Sequence, residues 1–379
     1  MKLSGLYIHI PFCRTRCFYC DFYAVASQAR KTELLAFIEK ELVAEVSFLG
    51  PGKPRLRTIY FGGGTPSLLT KNEFQQLFDV INLHFDLSVC EEITLEANPD
   101  DLTPAYIDDL RTLPFNRISI GVQSFVDEEL KAINRRHTAG KAMEVVKNCF
   151  EKGLKNISID LMYGLPGQTF ESFTYSLEQA LSLPVAHVSS YALSWEEGSV
   201  LYQKLQKGIL AQAPDEFLES CFFLMKARLE QAGFVHYELS SFAKPGLQSK
   251  HNASYWDGTP YLGIGPSAHS FHGNIRRFNH ASNAAYIHAL STGSLSFEVE
   301  VMDENALYND FIVTRLRTMR GLDLQELQQL FGKAKLDACL KNAAISLQNK
   351  TLAYADNRLF LTPKGMFISD AVAIDLLVI

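Results

Sequence analysis

Tyr7-Ile-His-Ile-Pro-Phe-Cys13-Arg-Thr-Arg-Cys17-Phe-Tyr-Cys20-Asp21-Phe22 runs from a short apolar stretch into three cysteines spaced C-x3-C-x2-C. Three thiolates on one loop can hold three irons of a cubane cluster, which leaves the fourth iron without a cysteine. An open metal position lets a small molecule chelate directly, as at open catalytic zinc sites. The competing reading is a zinc knuckle completed by His9 or Asp21. Structural zinc usually pairs two short cysteine clusters, and the remaining Cys90, Cys149, Cys221 and Cys339 are scattered through apolar segments. The cluster reading is the stronger.

Around this loop, short β-branched or aromatic runs alternate with amphipathic stretches. Candidate strands are Gly5–Ile10, Leu56–Phe61, Glu91–Ala97, Arg117–Gly121, Ile157–Leu161 and His187–Leu193. Helical spacing marks Thr32–Phe48, Asn72–Phe85, Ala139–Lys152 and Phe170–Leu183 between them. Such alternation predicts parallel strands with crossover helices, in a partial (β/α)6 barrel or an open α/β sheet, with the site at the C-terminal strand ends. Those ends carry polar or glycine-rich residues. The second strand runs into Gly62-Gly63-Gly64-Thr65-Pro66, where missing Cβ atoms suit either close backbone approach to a ligand or a tight turn. Glu96, Gln123 and Asp160 follow apolar runs in the next strands. Arg135 reads as a fixed cation or a solvated helix end.

Residues 1–197 form this first unit. Residues 198–300 read as a smaller α+β extension, with a helix over Pro214–Ala232 and a strand over Phe234–Leu239. Residues 301–379 read as a helical, winged-helix-like module: Glu304–Met319, then Leu324–Phe331, two strands at Leu352–Ala355 and Leu359–Thr362, and a last helix. That module has nine Lys/Arg and nine Asp/Glu, so the basic footprint of a nucleic-acid binder is missing and a packing or docking role is expected. The 379 residues are 47% apolar and 21% charged, with a net charge of −6, which excludes disordered and collagen-like classes and any global pull toward nucleic acid or anionic lipid. No apolar run approaches the roughly 20 residues of a membrane span. The N-terminus lacks the features of a signal peptide. Seven sparse cysteines are no disulfide framework, so the expected compartment is the reducing cytoplasm.

The cysteine loop and the glycine turn resemble those of the radical SAM superfamily. Tyr7-Ile-His-Ile-Pro-Phe-Cys13, Gly62-Gly-Gly-Thr-Pro66, Glu96-Ala-Asn-Pro99, Gly121-Val-Gln-Ser-Phe125 and Asp160-Leu-Met-Tyr-Gly-Leu-Pro-Gly167 are similar, more narrowly, to the oxygen-independent coproporphyrinogen III oxidase group, over nearly the whole chain. The resemblance implies a [4Fe-4S] cluster on Cys13, Cys17 and Cys20, with S-adenosylmethionine (SAM) on the open iron. It also implies cofactor contacts from Tyr7, Tyr19, Gly63, Gly64, Thr65, Glu96, Gln123, Arg135 and Asp160, several of which serve a second SAM in the decarboxylating enzymes.

Within the group, decarboxylases carry a further cysteine two residues after the third and more sequence ahead of the loop. Here Asp21-Phe22 follows Cys20 and 12 residues precede Cys13. Both features resemble the heme-chaperone branch. His251-Asn-Ala-Ser-Tyr255-Trp256 is similar to the HN-x-x-YW motif through which those chaperones bind heme. An imidazole can ligate heme iron, and Tyr255 and Trp256 offer flat faces to a porphyrin. His251 is the expected ligand, with His269 and His272 as rivals and His187, in a strand, as structural. The resemblance implies heme delivery to acceptor hemoproteins, respiratory ones among them, with SAM-dependent decarboxylation of coproporphyrinogen III as the alternative and a homodimer compatible with either.

Overall fold

The computed structural model describes residues 3–295 and 297–378. All six expected strands form: β1 (Ser4–Ile10), β2 (Leu56–Gly63), β3 (Glu92–Ala97), β4 (Arg117–Gln123), β5 (Ile157–Tyr163) and β6 (His187–Ala192). They lie side by side in chain order, each parallel to the next. Their two rows of side chains differ in chemistry. Ile157, Ile159 and Leu161 of β5 are buried in the same core as Val145 and Val146 of helix Ala139–Glu151 and Phe173 and Leu177 of helix Phe170–Ser182. Removing such a side chain, as in Ile159→Ala, costs about 2–5 kcal/mol. Ser158 and Asp160 alternate with them on the opposite face.

Residues 198–300 do more than extend this unit. β7 (Val235–Glu238) and β8 (Ser241–Ala243) add antiparallel strands beyond β6. On the other side, β9 (Tyr261–Ile264) pairs parallel to β1, and β10 (His269–His272), β11 (Ile275–Asn279) and β12 (Phe297–Val301) continue antiparallel. Among the described residues the result is one open sheet of twelve strands, not a closed barrel.

The C-terminal module has its own core around Tyr308, Leu316, Leu327, Leu359 and Leu376. Helix Glu304–Leu316 is followed by β13 (Leu322–Asp323), a long helical segment over Leu324–Gln348, and the hairpin β14 (Leu352–Ala355) and β15 (Arg358–Leu361). The hairpin read from sequence forms, and β13 adds a third strand to it in the order β13-β15-β14. The long segment is two helices joined at Gly332, whose φ of 80° breaks the first near the boundary read from sequence. Backbone bonds from Leu239 N to Arg317 O (2.9 Å) and Met319 N to Tyr237 O (3.1 Å) tie the module to the end of β7.

Candidate cofactor chamber and the floor beneath it

The C-terminal ends of β1–β6 open into a chamber of about 460 Å3. Cys13, Cys17, Tyr19 and Cys20 form one wall, Gly63, Gly64 and Thr65 another. Glu96, Gln123, Arg135 and Asp160 reach it from the strands and loops beyond. Eleven of the thirteen residues singled out from sequence therefore line one space; Tyr7 and His251 lie outside that lining.

The glycine turn has a packing reason. A Cβ on Gly63, which sits at φ 105°, would lie 2.6 Å from the His9 ring, and one on Gly64 would lie 2.7 Å from the Phe12 carbonyl oxygen. These glycines let β2 close against the start of the cysteine loop. His9 is itself committed, with Nδ1 at 3.1 Å from the Tyr7 hydroxyl and Nε2 at 2.9 Å from the Tyr23 carbonyl, and burial lowers its pKa to about 4.

A chain of hydrogen bonds runs behind the thiols. Thr65 Oγ1 donates to Cys13 Sγ at 3.3 Å, and Asn98 Nδ2 donates to Thr65 Oγ1 at 3.1 Å. Asn98 Oδ1 accepts from Arg135 Nη2 at 2.7 Å, and Arg135 Nη1 donates to Cys17 Sγ at 3.3 Å. Arg135 also donates to the Gly121 carbonyl, so it is an enclosed, fixed cation and not a solvated helix end. Asn98 is the member that sequence reading passed over, although it stands two residues after Glu96 in the Glu96-Ala-Asn-Pro99 run. Burial raises the Cys13 pKa and pushes Cys20 to about 11. Metal binding must displace those protons, and donors aimed at sulfur stabilise the thiolate that results.

Glu96 accepts from the Tyr60 hydroxyl at 2.6 Å and from Gly63 N at 3.2 Å. Burial still pushes its pKa up to about 7. Asp160 is raised to about 6, again by burial, against the lowering effects of the Arg117 charge and of hydrogen bonds from Ser189 and Ser119. Burial outweighs these effects in both acids, so a cationic ligand close to either would favour its charged form. Gln123 reaches the chamber through an irregular step in the β4–β5 pairing and a φ of 70°.

Below the chamber, helix Lys250–Trp256 caps the N-terminal end of the strands. Ser249 Oγ and the backbone amides of Lys250 and His251 all point at the Glu92 carboxylate, at 3.4, 2.8 and 3.0 Å. His251 is fully buried, with Nδ1 2.8 Å from Thr58 Oγ1 and Nε2 2.9 Å from the Tyr255 hydroxyl. Gly5 leaves space for the ring: a Cβ there would sit 3.3 Å from it. Burial lowers the His251 pKa to about 3. As folded, neither ring nitrogen is free, so iron ligation requires the Thr58 or Tyr255 contact to break. His187 is equally committed, to Ser158 Oγ and the Tyr237 hydroxyl at 2.8 Å each. His272 Nδ1 lies 2.7 Å from the Phe48 carbonyl, whereas His269 is exposed on β10 beside Phe278.

Residues 7–180 match the radical SAM superfamily and residues 302–368 match the HemN C-terminal domain. The chain is 34% identical to the heme chaperone HemW of Mycobacterium tuberculosis over 98% of this chain and 94% of that one. It is 35% identical to the heme chaperone HemW of Bacillus subtilis over 98% of each. The chain belongs to the HemW family of radical SAM proteins. A Bos taurus relative, radical S-adenosyl methionine domain-containing protein 1, mitochondrial, is 31% identical over 99% of this chain and 87% of its own. Among solved structures, coproporphyrinogen III oxidase (HemN) from Escherichia coli shares the fold, with a TM-score of 0.86 over 99% of this chain and 90% of that one, at 23% identity.

Membership of the radical SAM superfamily implies a [4Fe-4S] cluster and SAM, and the chamber of this HemW-type chain gathers three cysteines with Glu96 and Asp160. Among the described residues, no three His, Cys, Asp or Glu side chains converge on a point where a single metal ion could sit. Cys13, Cys17 and Cys20 line one wall of the chamber; in a cluster, separate thiolates bind separate irons. Glu96 and Asp160, neither of them in an ion pair among the described residues, face the same space. No helix among the described residues is long and apolar enough to cross a membrane.

Proposed function

We propose that this chain is a heme chaperone: it binds heme and hands it to acceptor hemoproteins, respiratory ones among them, in the cytoplasm. The observation that carries this reading is the likeness, at 34–35% identity over 98% of the chain, to proteins named heme chaperones. Asp21-Phe22 after Cys20, where decarboxylases of this group have a further cysteine, supports it. None of the seven cysteines is in a disulfide, which suits a reducing compartment.

In this reading Cys13, Cys17 and Cys20 hold the cluster. Glu96, Gly63, Gly64 and Thr65 hold SAM, with Tyr19, Gln123, Arg135 and Asp160 completing the chamber and Tyr7 fixing His9 behind it. When bound, the cluster would supply one electron for reductive cleavage of SAM. The protein's part is to hold the thiolates with Thr65 and Arg135, to orient the cofactor with Glu96 and Asp160, and to keep water out from below with the His251–Tyr255 floor. Handing over heme needs no general acid or base.

An anaerobic turnover assay separates this from decarboxylation. Cluster-reconstituted protein is given SAM, reductant and coproporphyrinogen III beside an active decarboxylase as control. The proposal predicts no protoporphyrinogen; conversion comparable with the control would overturn it.

A further inference from the structure

A second cavity, about 1000 Å3, lies behind helix Lys250–Trp256, between that helix and the C-terminal module. The HN-x-x-YW helix divides its side chains between the two spaces. His251 and Tyr255 turn toward the strands, while Ala253 and Trp256 line the rear cavity. Trp256 is held from behind by the Arg317 guanidinium, 4.8 Å from its ring centre, and its indole Nε1 is buried with no acceptor. Five cationic side chains line the cavity against two carboxylates. Three of the five, Arg315, Arg320 and Arg358, come from the C-terminal module. Arg315 is paired with Glu326 at 3.0 Å and Arg358 with Asp323 at 2.5 Å, whereas Arg320 is exposed and has no ion-pair partner among the described residues.

We propose that this rear cavity is the heme site, with the tetrapyrrole plane against Trp256 and the propionates held by Arg320 together with Arg315 and Arg358. The proposal rests on the heme-handling reading and locates it away from the cofactor chamber. Size, an aromatic wall, an orphaned indole N–H and an excess of guanidinium groups together fit a flat dianion, and guanidinium forks suit carboxylates. On this account the C-terminal module supplies the anion-binding half of the site, and its near-zero net charge hides a local cationic edge.

The test is a titration of the full, cluster-reconstituted chain with ferric heme, followed at the Soret band, for wild type, Arg320→Glu and Ala253→Trp. Arg320 is exposed, so its charge reversal leaves the core intact; Ala253→Trp fills the cavity. The site predicts at least about tenfold weaker binding in each variant, from one lost charge-assisted contact in Arg320→Glu and from lost space in Ala253→Trp. Heme dimethyl ester, which lacks the carboxylates, should bind wild type about tenfold more weakly than heme and should not distinguish wild type from Arg320→Glu. Tight wild-type binding unchanged in both variants would overturn the rear cavity while leaving heme handling intact. Ester binding as tight as heme would overturn the propionate contacts. No binding to wild type would sink both the cavity and the heme reading.

Discussion

The ring of Tyr60 stacks on the imidazole of His251, with centroids 5.0 Å apart and planes 24° from parallel. The same Tyr60 donates its hydroxyl to Glu96 at 2.6 Å. One side chain thus touches both the carboxylate that faces the cofactor chamber and the histidine that seals the floor beneath it. Removing only the hydroxyl separates these contacts. Tyr60→Phe keeps the stack and strips Glu96 of its shortest hydrogen bond, so SAM affinity should fall by about tenfold or more, the usual cost of a lost bond to a charged group. Calorimetric titration of SAM into reconstituted protein checks this; equal affinities would remove Glu96 orientation from the account.

Asn98 holds Thr65 and Arg135 in place behind two cysteines. Asn98→Ala breaks both links without touching a thiol. The variant should take up iron and sulfide to the wild-type level and lose them several-fold faster to a chelator, because the donors to Cys13 and Cys17 are no longer fixed. Asn98→Asp, which keeps an acceptor for Arg135, should fall between the two. Identical loss rates in all three would make Asn98 a bystander.

Glu96 carries its proton to about pH 7 when folded, against 4.5 in an unfolded chain. The folded state therefore binds more protons between those values, and the carboxyl costs stability as pH rises through that window. Cofactor-free Glu96→Gln should melt higher than wild type above pH 7 and converge with it near pH 4, while binding SAM more weakly. A melting difference independent of pH would contradict the burial argument.

His251 has the opposite sign. Its folded pKa near 3 lies below the ordinary 6.5, so between those values the unfolded chain binds the extra proton and stability falls as the solution is acidified. Wild type should lose melting temperature faster than His251→Gln from pH 6.5 downward. Parallel curves would mean that the ring is not neutral and enclosed in solution.

Much of this arrangement was legible in the residues. The C-x3-C-x2-C loop, the glycine turn and the acids at successive strand ends pointed to one chamber because side chains after parallel strands must converge at their C-terminal ends. What lay hidden depended on long-range pairing. Tyr261-Leu-Gly-Ile264 is four residues with a glycine, too short to read as a strand until it is seen beside β1. Arg117, at the first position of β4, carries no mark in the sequence; it is 2% exposed, and its cation acts on Asp160, Glu96 and His251. The HN-x-x-YW string promises a ligand, yet no string says which helix face turns inward, and it is the pairing with Thr58, far away in sequence, that buries His251. Asn98 was visible as part of a motif and silent about its two partners.

Heme transfer tests the central claim most directly. The chain is loaded with one equivalent of heme, freed of excess, and mixed anaerobically with an apo-hemoprotein in the presence of SAM and an intact cluster. The account predicts that the Soret spectrum converts to that of the acceptor holoprotein, faster than with free heme held on albumin. Heme that stays on the chain, or that reaches the acceptor no faster than from albumin, would contradict a chaperone.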